Sequence, residues 1–249
     1  NGISATNEAI GTNIGSNIFQ ITFIVGIVSY FSKIKINKNI LSRDFVFMLF
    51  SIALLIVLGL NGVISRLEGL ILLLLYLFYL NKLYDVEESS RKIKTSNSKN
   101  IFIHIFYLIT GLMFLSLSAD NIVSYAVYLS KSIGIEQSFI GVLIIGIATG
   151  LPELTTAIEG IRKKSKDMSL GVLIGSNITN PLMGVGIGAL IIDNPISKTI
   201  VNIDLVSWFL ISFALYLLIY NKKFIPKKTG IIMVCLYVSF IIYKINFII

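Results

Sequence analysis

The segment GTNIGSNIFQ at positions 11–20 returns 160 residues later as GVLIGSNITN at 171–180, and both copies lie inside apolar stretches long enough to cross a bilayer. Extending the comparison to Ile27 and Ile187 gives nine identities in 17 positions, including Gly-Ser-Asn in one register. Small residues used twice for helix packing would explain the glycines alone. A repeated polar triplet at membrane depth instead predicts a functional site built from two related halves.

The composition of this chain, with 55% hydrophobic and 14% charged residues, indicates that it lies in a lipid environment. Charges are bunched between long apolar runs, and no run alternates as the strands of a membrane barrel would. The sequence therefore predicts an all-α integral membrane protein. A helical span needs about 20 apolar residues, and eight transmembrane helices are predicted at 10–31, 43–61, 66–84, 101–130, 137–161, 169–192, 203–220 and 229–248.

The basic residues predict the orientation of these helices, because Lys and Arg are retained on the cytoplasmic side. Assigning loops to alternate sides puts 17 of the 21 basic residues on one side, in segments 33–43, 82–99, 162–166 and 222–228. The other side receives Arg66, Lys131, Lys198 and Lys244. We therefore expect a multi-pass cell-membrane protein with both ends of this chain extracellular. The net charge of +8 reflects this bias and contact with anionic lipid, not nucleic-acid binding.

This topology makes the two copies of the motif run in opposite directions across the membrane. Inverted repeats are typical of secondary transporters, which bind their substrates near the bilayer midplane where the two halves meet. The repeat therefore favours transport as the function.

A carboxylate, Glu153, stands in the apolar segment GIATGLPELTT at 146–156, where an unpaired acid costs at least a few kcal/mol. Thr149 lies one turn before it on the same helix face. Pro152 lacks a backbone donor and is expected to break the helix, freeing carbonyl oxygens for a ligand. Thr149 could equally bond back to its own helix. Ser176 with Asn180, and Ser16 with Gln20, repeat the same four-residue spacing; such oxygen-bearing pairs suit a dehydrated hard cation.

At these residues the chain resembles the sodium/calcium exchanger family of the calcium/cation antiporter superfamily. That family carries G-T-S-L-P-E-like and G-S-N-I-x-N/D-like helices in each of two inverted repeats. Segments 148–153 (ATGLPE), 175–180 (GSNITN) and 15–20 (GSNIFQ) match them. The resemblance implies that the motif acid ligates Ca²⁺ and Na⁺ and that the motif hydroxyls and amides assist. The candidate cation ligands are Glu153, Thr149, Ser176, Asn180, Ser16 and Gln20, with Gly146, Asn17 and Asn177 from the same motifs.

The chain departs from the family pattern in three ways. Gly150 replaces a motif serine, and the neutral Asn180 and Gln20 stand where the family has acidic or shorter residues, which weakens the case for Ca²⁺ against Na⁺, K⁺ or H⁺. The counterpart of Glu153 would fall before Asn1, so upstream helices of the same protein are expected to complete the site. The full fold would then be a ten-helix, five-plus-five inverted repeat. We divide the chain into 1–84 (three helices of the first half), 85–100 (a cytoplasmic linker) and 101–249 (the five-helix second half).

The leading function predicted is Na⁺/Ca²⁺ antiport by alternating access, with a Ca²⁺ or other cation/H⁺ antiporter as the runner-up. No enzyme activity and no cofactor are expected; the ligands are the transported Ca²⁺ and Na⁺, or H⁺, and the surroundings are membrane lipid. A membrane scaffold or non-transporting subunit that kept the repeat is the alternative from another class. An intramembrane serine hydrolase is disfavoured, because the single histidine, His104, is not near either motif.

Overall fold

The computed structural model describes residues 2–90, 146–162 and 166–248, with scattered positions between 103 and 145. The structure is helical, as predicted. The named helices are α1 (Gly2–Phe19), α2 (Val25–Phe31), α3 (Val46–Gly59), α4 (Arg66–Ser90), α5 (Gly146–Arg162), α6 (Lys166–Thr179), α7 (Gly186–Ile191), α8 (Val206–Ile219) and α9 (Lys227–Ile248).

Within residues 2–90 and 166–248, four π-helical segments interrupt or begin these helices, and they obey the same 160-residue repeat as the sequence motif. They are π1 (Gln20–Ile24), π2 (Ile40–Phe45), π3 (Asn180–Val185) and π4 (Ile200–Leu205). The residues at their junctions keep right-handed helical backbone angles, so α1-π1-α2 and α6-π3-α7 are each one continuous rod. Each continuous helix changes from α to π at the last residue of its six-residue motif, which is Gln20 in the first copy and Asn180 in the second. Such π turns are common at functional sites, because they loosen the regular backbone ladder.

The loops at the two ends of the protein also follow the repeat. β1 (Val63–Ile64) pairs antiparallel with β2 (Asn194–Pro195). At another place Lys35 forms an isolated antiparallel bridge with Phe224, and the repeat-equivalent positions, 195 and 64, lie within one residue of the β1/β2 register. Loops that the alternating assignment put on one side of the membrane are therefore in contact with each other in both cases.

Six helices in the described part of the chain are long and apolar enough to span a membrane. They are Ala9–Phe31, Ile40–Gly59, Arg66–Tyr84, Leu170–Ile191, Ile200–Ile219 and Lys227–Asn246, and each coincides with a predicted span. The predicted span 101–130 and the first part of 137–161 lie largely outside the described residues. The eight-helix count and the ten-helix repeat stay predictions. Ala9–Phe31 is the most buried of the six, which places the first motif at the centre of the protein.

The helix α4 continues to Ser90, into the segment predicted as the cytoplasmic linker, although its apolar span ends at Tyr84. Loss of hydrophobicity ends the membrane span but not the helix, since Glu and other polar residues propagate helix well. One local prediction was wrong: Pro152 does not break its helix, because α5 runs unbroken from Gly146 to Arg162. Proline removes one backbone bond there without stopping the neighbouring turns.

A buried ion pair joins π4 to α9. It shows that Lys244, which the loop assignment placed among the basic residues of the outer side, is buried inside the protein. The Lys244 ammonium lies 2.5 and 2.6 Å from the two carboxylate oxygens of Asp204, and both side chains are at most 1% exposed. The repeat-equivalent residue, Asp44, is also buried; it accepts from Arg43 at 2.7 Å and from the Tyr79 hydroxyl at 3.2 Å. Each half therefore carries a neutralised aspartate in its second π segment.

Candidate functional site

The two motif helices cross at the centre of the protein and run antiparallel to each other. Asn180 donates its side-chain N–H to the Asn17 side-chain oxygen at 2.8 Å. Asn177 donates in the same way to Gln20 at 2.9 Å. These two bonds are exchanged by the 160-residue repeat, because Asn17 corresponds to Asn177 and Gln20 to Asn180. In both bonds the earlier residue of one motif pairs with the later residue of the other, as expected for two antiparallel copies of one helix.

A ring nitrogen from α8 completes this amide network. Trp208 is fully buried and donates its indole N–H to the side-chain oxygen of Asn177 at 3.1 Å. Asn177 also donates to the backbone carbonyl of Leu173 at 2.8 Å, so its amide is satisfied on both sides. Buried amides with complete hydrogen bonding rigidify the elements that they join.

Beside the crossing lies a cavity of about 250 Å³. It is lined by Ala9, Thr12, Asn13, Ser16, Thr149, Glu153 and Asn180, which come from α1, α5 and the start of π3. The cavity exists because α1 and α5 approach backbone to backbone. A Cβ added at Gly146 would lie 2.8 Å from the backbone of Gly15 and Ser16, and one added at Gly15 would overlap the carbonyl of Val142.

Glu153 is the chemically decisive group of this cavity. Its Oε1 accepts a hydrogen bond from the Ser176 hydroxyl at 3.1 Å. Its Oε2 is buried and accepts no hydrogen bond from a described residue. A carboxylate oxygen without a donor or cation inside a membrane protein costs several kcal/mol. Among the residues that the structure describes, Oε2 therefore has no partner, and it is available to a cation.

Three further residues with side-chain oxygens line the same space. Asn180 donates its side-chain N–H groups to Asn17 and, at 3.5 Å, to Ser176, which leaves its side-chain oxygen as the group that could bind a ligand. The Ser16 hydroxyl accepts from Gln20 at 3.1 Å and is 4% exposed. The Thr149 hydroxyl donates back to the carbonyls of its own helix, at Ile145 (2.9 Å) and Gly146 (3.2 Å), which is the alternative left open by its sequence position. Its oxygen can still accept or ligate.

The structure thus separates the nine predicted ligands into three groups. Glu153, Thr149, Ser16 and Asn180 line the cavity. Ser176 holds Glu153 through the hydrogen bond described above. Asn17, Gln20 and Asn177 hold the two motif helices together, and Gly146 is a packing contact whose carbonyl accepts from Thr149.

Two cavity residues, Thr12 and Asn13, were missed in the sequence. Asn13 donates to the backbone carbonyl of Asn180 at 3.0 Å and accepts from Asn17 at 3.3 Å. Both residues stand four positions before motif residues, Thr12 before Ser16 and Asn13 before Asn17, so their shared helix face was readable from spacing. They were overlooked because the second copy has Val172 and Leu173 there.

The donor set is all oxygen, with one carboxylate among hydroxyls and amide oxygens. The described residues contain no group of three or more His, Cys, Asp or Glu side chains that could hold a metal ion. A soft or transition metal is therefore not matched by this cavity, whereas hard cations such as Na⁺ and Ca²⁺ prefer oxygen ligands of this kind.

Comparison with known proteins agrees with this chemistry. The family described as sodium/calcium exchanger protein matches residues 4–83 and 103–246. An uncharacterized membrane protein of Methanocaldococcus jannaschii is 30% identical over 237 residues, covering 94% of this chain and 76% of that protein. The sodium/calcium exchanger MaX1 of Methanosarcina acetivorans is 25% identical over 282 residues, covering 96% of this chain and 80% of that protein.

Solved structures of the sodium-calcium exchanger NCX_Mj share the fold. The structure soaked with Na⁺ and Sr²⁺ gives a TM-score of 0.70 at 27% identity, and the match covers 94% of this chain and 76% of that one. The family match extends over most of the chain, includes both Gly-Ser-Asn helices and Glu153, and agrees with the structural match. The chain belongs to the sodium/calcium exchanger protein family.

Proposed function

We propose that this protein is a secondary antiporter that exchanges Na⁺ for Ca²⁺ through the cavity beside Glu153. The single observation that carries the proposal is the buried Oε2 of Glu153, which has no hydrogen-bond donor among the described residues. A cation at that oxygen would be held by the carboxylate and by the oxygens of Asn180, Ser16 and Thr149. Exchanger relatives and the oxygen chemistry support this assignment.

Coupling follows from competition for one carboxylate. One Na⁺ at Glu153 neutralises its charge, and Ca²⁺ would be neutralised by Glu153 together with the acidic counterpart expected on the upstream helices, whereas the empty site leaves a negative charge buried in the protein, which is costly to move through the membrane. Occupied states therefore change their access side more readily than the empty state. One ion then leaves only when the other replaces it, and the gradient of Na⁺ drives Ca²⁺ in the opposite direction.

The architecture supports alternating access to such a site. The two motif helices are related as inverted copies and are tied by the bonds Asn17–Asn180 and Gln20–Asn177. The cavity lies on one side of this crossing, against α5. Relative movement of α5 and the motif helices would open the cavity toward either end of the protein, as expected where inverted halves meet. Gly15 and Gly146 place no side chain between these helices, so no side chain would obstruct such a movement.

Transport in liposomes tests the proposal. The full-length protein is reconstituted with Na⁺ inside, diluted into Na⁺-free buffer, and uptake of radioactive Ca²⁺ is followed. We expect uptake that requires the outward Na⁺ gradient and stops when a sodium ionophore dissipates it. Equal uptake with K⁺ or choline in place of Na⁺ would contradict Na⁺ coupling.

A pH gradient separates the runner-up function. Under Na⁺/Ca²⁺ exchange, acid inhibits, because a proton competes for the Glu153 carboxylate, and a proton gradient without Na⁺ drives no uptake. Strong Ca²⁺ accumulation driven by a pH gradient in Na⁺-free liposomes would instead establish cation/H⁺ antiport. Absence of any Ca²⁺ flux from folded, full-length protein would favour the non-transporting class.

A further inference from the structure

Two basic loops meet at one end of the protein and form an open cleft. The Ile36 backbone N–H donates to the carbonyl of Lys223 at 2.9 Å, and the Ile225 N–H donates to the carbonyl of Ile34 at 3.0 Å. These bonds flank the Lys35–Phe224 bridge and fix the loop after α2 against the loop before α9. The cleft is therefore built by backbone pairing and does not depend on the lysine side chains around it.

The cleft has a volume of about 630 Å³ and a strongly positive lining. Its basic members are Lys33, Lys222, Lys223 and Lys227, and all four are exposed. None of these four lysines pairs with a carboxylate of a described residue; Lys227 instead lies over the Tyr30 ring, 5.2 Å from its centre. Four unpaired ammonium groups around one cleft repel each other unless an anion lies between them.

The internal repeat shows that the fold itself does not require these lysines. Subtracting or adding 160 residues pairs them with Asp193, Gly62, Val63 and Leu67 at the opposite end of the protein. That end has the same loop pairing, through β1 and β2, without the positive cluster. The lysines thus distinguish one end of a nearly symmetric scaffold.

An apolar groove continues from the cleft along the helices α2 and α9. It has a volume of about 240 Å³, and its lining includes Gly26, Gly230, Val234 and Cys235. The groove exists because the two glycines bring the helices together, as a Cβ on either one would lie 2.8 Å from the other's carbonyl oxygen. Phe31, which is 80% exposed, borders both the cleft and the groove.

A charged cleft joined to an apolar groove on a membrane protein matches one class of molecule. We propose that this surface binds an anionic phospholipid, with the headgroup phosphate among Lys33, Lys222, Lys223 and Lys227 and an acyl chain along the α2/α9 groove. Basic recesses between membrane helices are a known setting for anionic headgroups. A soluble anion would use the cleft but leave the apolar groove and Phe31 without a partner, so the lipid accounts for both halves of the surface. The site is separate from Glu153 and does not rest on the transported ion.

The lone cysteine offers a direct readout, because Cys235 is exposed in the groove. Full-length protein in a neutral detergent is alkylated at Cys235 with a small maleimide in the presence of phosphatidylglycerol, phosphatidylcholine or inorganic phosphate. We expect phosphatidylglycerol to slow alkylation several-fold, while phosphatidylcholine and inorganic phosphate leave the rate unchanged. Equal protection by phosphatidylcholine, or the full effect with phosphate alone, would overturn the proposal.

A matched pair of variants tests the lysines. K33Q/K223Q should raise the phosphatidylglycerol concentration needed for half-maximal protection about 25-fold, at roughly fivefold per lysine near a membrane surface. K38Q/K82Q removes the same charge from exposed positions outside the cleft and should leave protection unchanged. Size-exclusion elution confirms that each variant is folded, and K222Q/K227Q replaces the first variant if it is not. Undiminished protection in a folded cleft variant would refute the site.

Discussion

Asn180 donates to Asn17 across the centre of the protein at 2.8 Å, and the two residues are 163 positions apart in sequence. The bond joins the last residue of the second motif to the middle of the first. Its repeat-related partner, from Asn177 to Gln20, lies beside it. Asn180 also lines the cavity beside Glu153, so helix packing and proposed ion binding share one side chain.

Glu153→Gln should abolish exchange while preserving the fold. The amide keeps the volume and can accept from Ser176, but the site loses its only carboxylate among the cavity residues. At an effective dielectric constant of about 20, a direct charge contact is worth a few kcal/mol, so Ca²⁺ affinity should fall about 100-fold or more. Glu159→Gln is the control, since Glu159 lies on the same helix, outside the cavity, paired with Arg162 at 2.9 Å. Binding isotherms and Ca²⁺ flux are measured for both; retained exchange in the first variant would make Glu153 structural.

Asn180→Asp should raise the preference for Ca²⁺ over Na⁺ at a cost in stability. The added carboxylate attracts a divalent ion about twice as strongly as a monovalent one. It cannot donate to Asn17, so the crossing loses a buried hydrogen bond unless the Asn17 amide rotates, and stability should fall by about 1–2 kcal/mol. Competition of Na⁺ against bound radioactive Ca²⁺ measures the first effect and thermal unfolding the second.

The control for this change is Asn61→Asp. Asn61 is exposed and accepts from the Val63 N–H at 3.0 Å, which a carboxylate can also do. It adds the same charge far from the cavity and should alter neither quantity. If Asn180→Asp leaves the Ca²⁺ to Na⁺ ratio at the control level, residue 180 does not contact the ion.

Lys244→Met should destabilise the protein by about 3–5 kcal/mol, because it leaves the buried carboxylate of Asp204 without its cation. The double variant D204N/K244M carries no buried charge and should recover most of that loss. Equilibrium unfolding in mixed micelles measures the three proteins. A single variant as stable as the unaltered protein would mean that Asp204 is already neutral.

Asn61→Cys and Asn221→Cys test the orientation in a C235S background. The two asparagines are exposed, repeat-equivalent residues, one next to β1 and one at the lysine cleft. Because Lys and Arg are retained in the cytoplasm, a membrane-impermeant thiol reagent should reach position 221 only from inside and position 61 only from outside. Labelling of both from one side would exclude the inverted topology.

Several features of the fold were predictable because they depend on short-range chemistry. The six described spans coincide with apolar runs, since membrane insertion responds to local hydrophobicity. Counting spans put loops 35 and 224 on one side of the membrane and loops 64 and 194 on the other, because each helix reverses the side of the chain; the pairing of these loops was seen only in the structure. Glu153 was identified because an acid in an apolar run is exceptional anywhere in a sequence.

Other features could not be predicted from local pattern. The π segments have no distinctive composition, and π1 and π3 share almost no residues although they stand at the same place. Pro152 was expected to break a helix that the surrounding packing keeps intact. Lys244 was assigned to the outer side of the membrane, and nothing in its own segment indicates that it is buried against an aspartate 40 residues away.

The sequence by itself determined that the chain lies in a membrane, that it carries a repeated motif, and that Glu153 is the acid of the candidate site. Hydrophobicity and residue chemistry are properties of each segment alone. The tertiary structure decided which of the nine candidate residues line the cavity and which form hydrogen bonds with each other. That choice depends on the antiparallel crossing of helices 160 residues apart, which brings Asn17 to Asn180, and on the packing of α5, where Glu153 Oε2 accepts no hydrogen bond from a described residue. Such distances depend on packing between distant segments, so they cannot be predicted from a local sequence pattern.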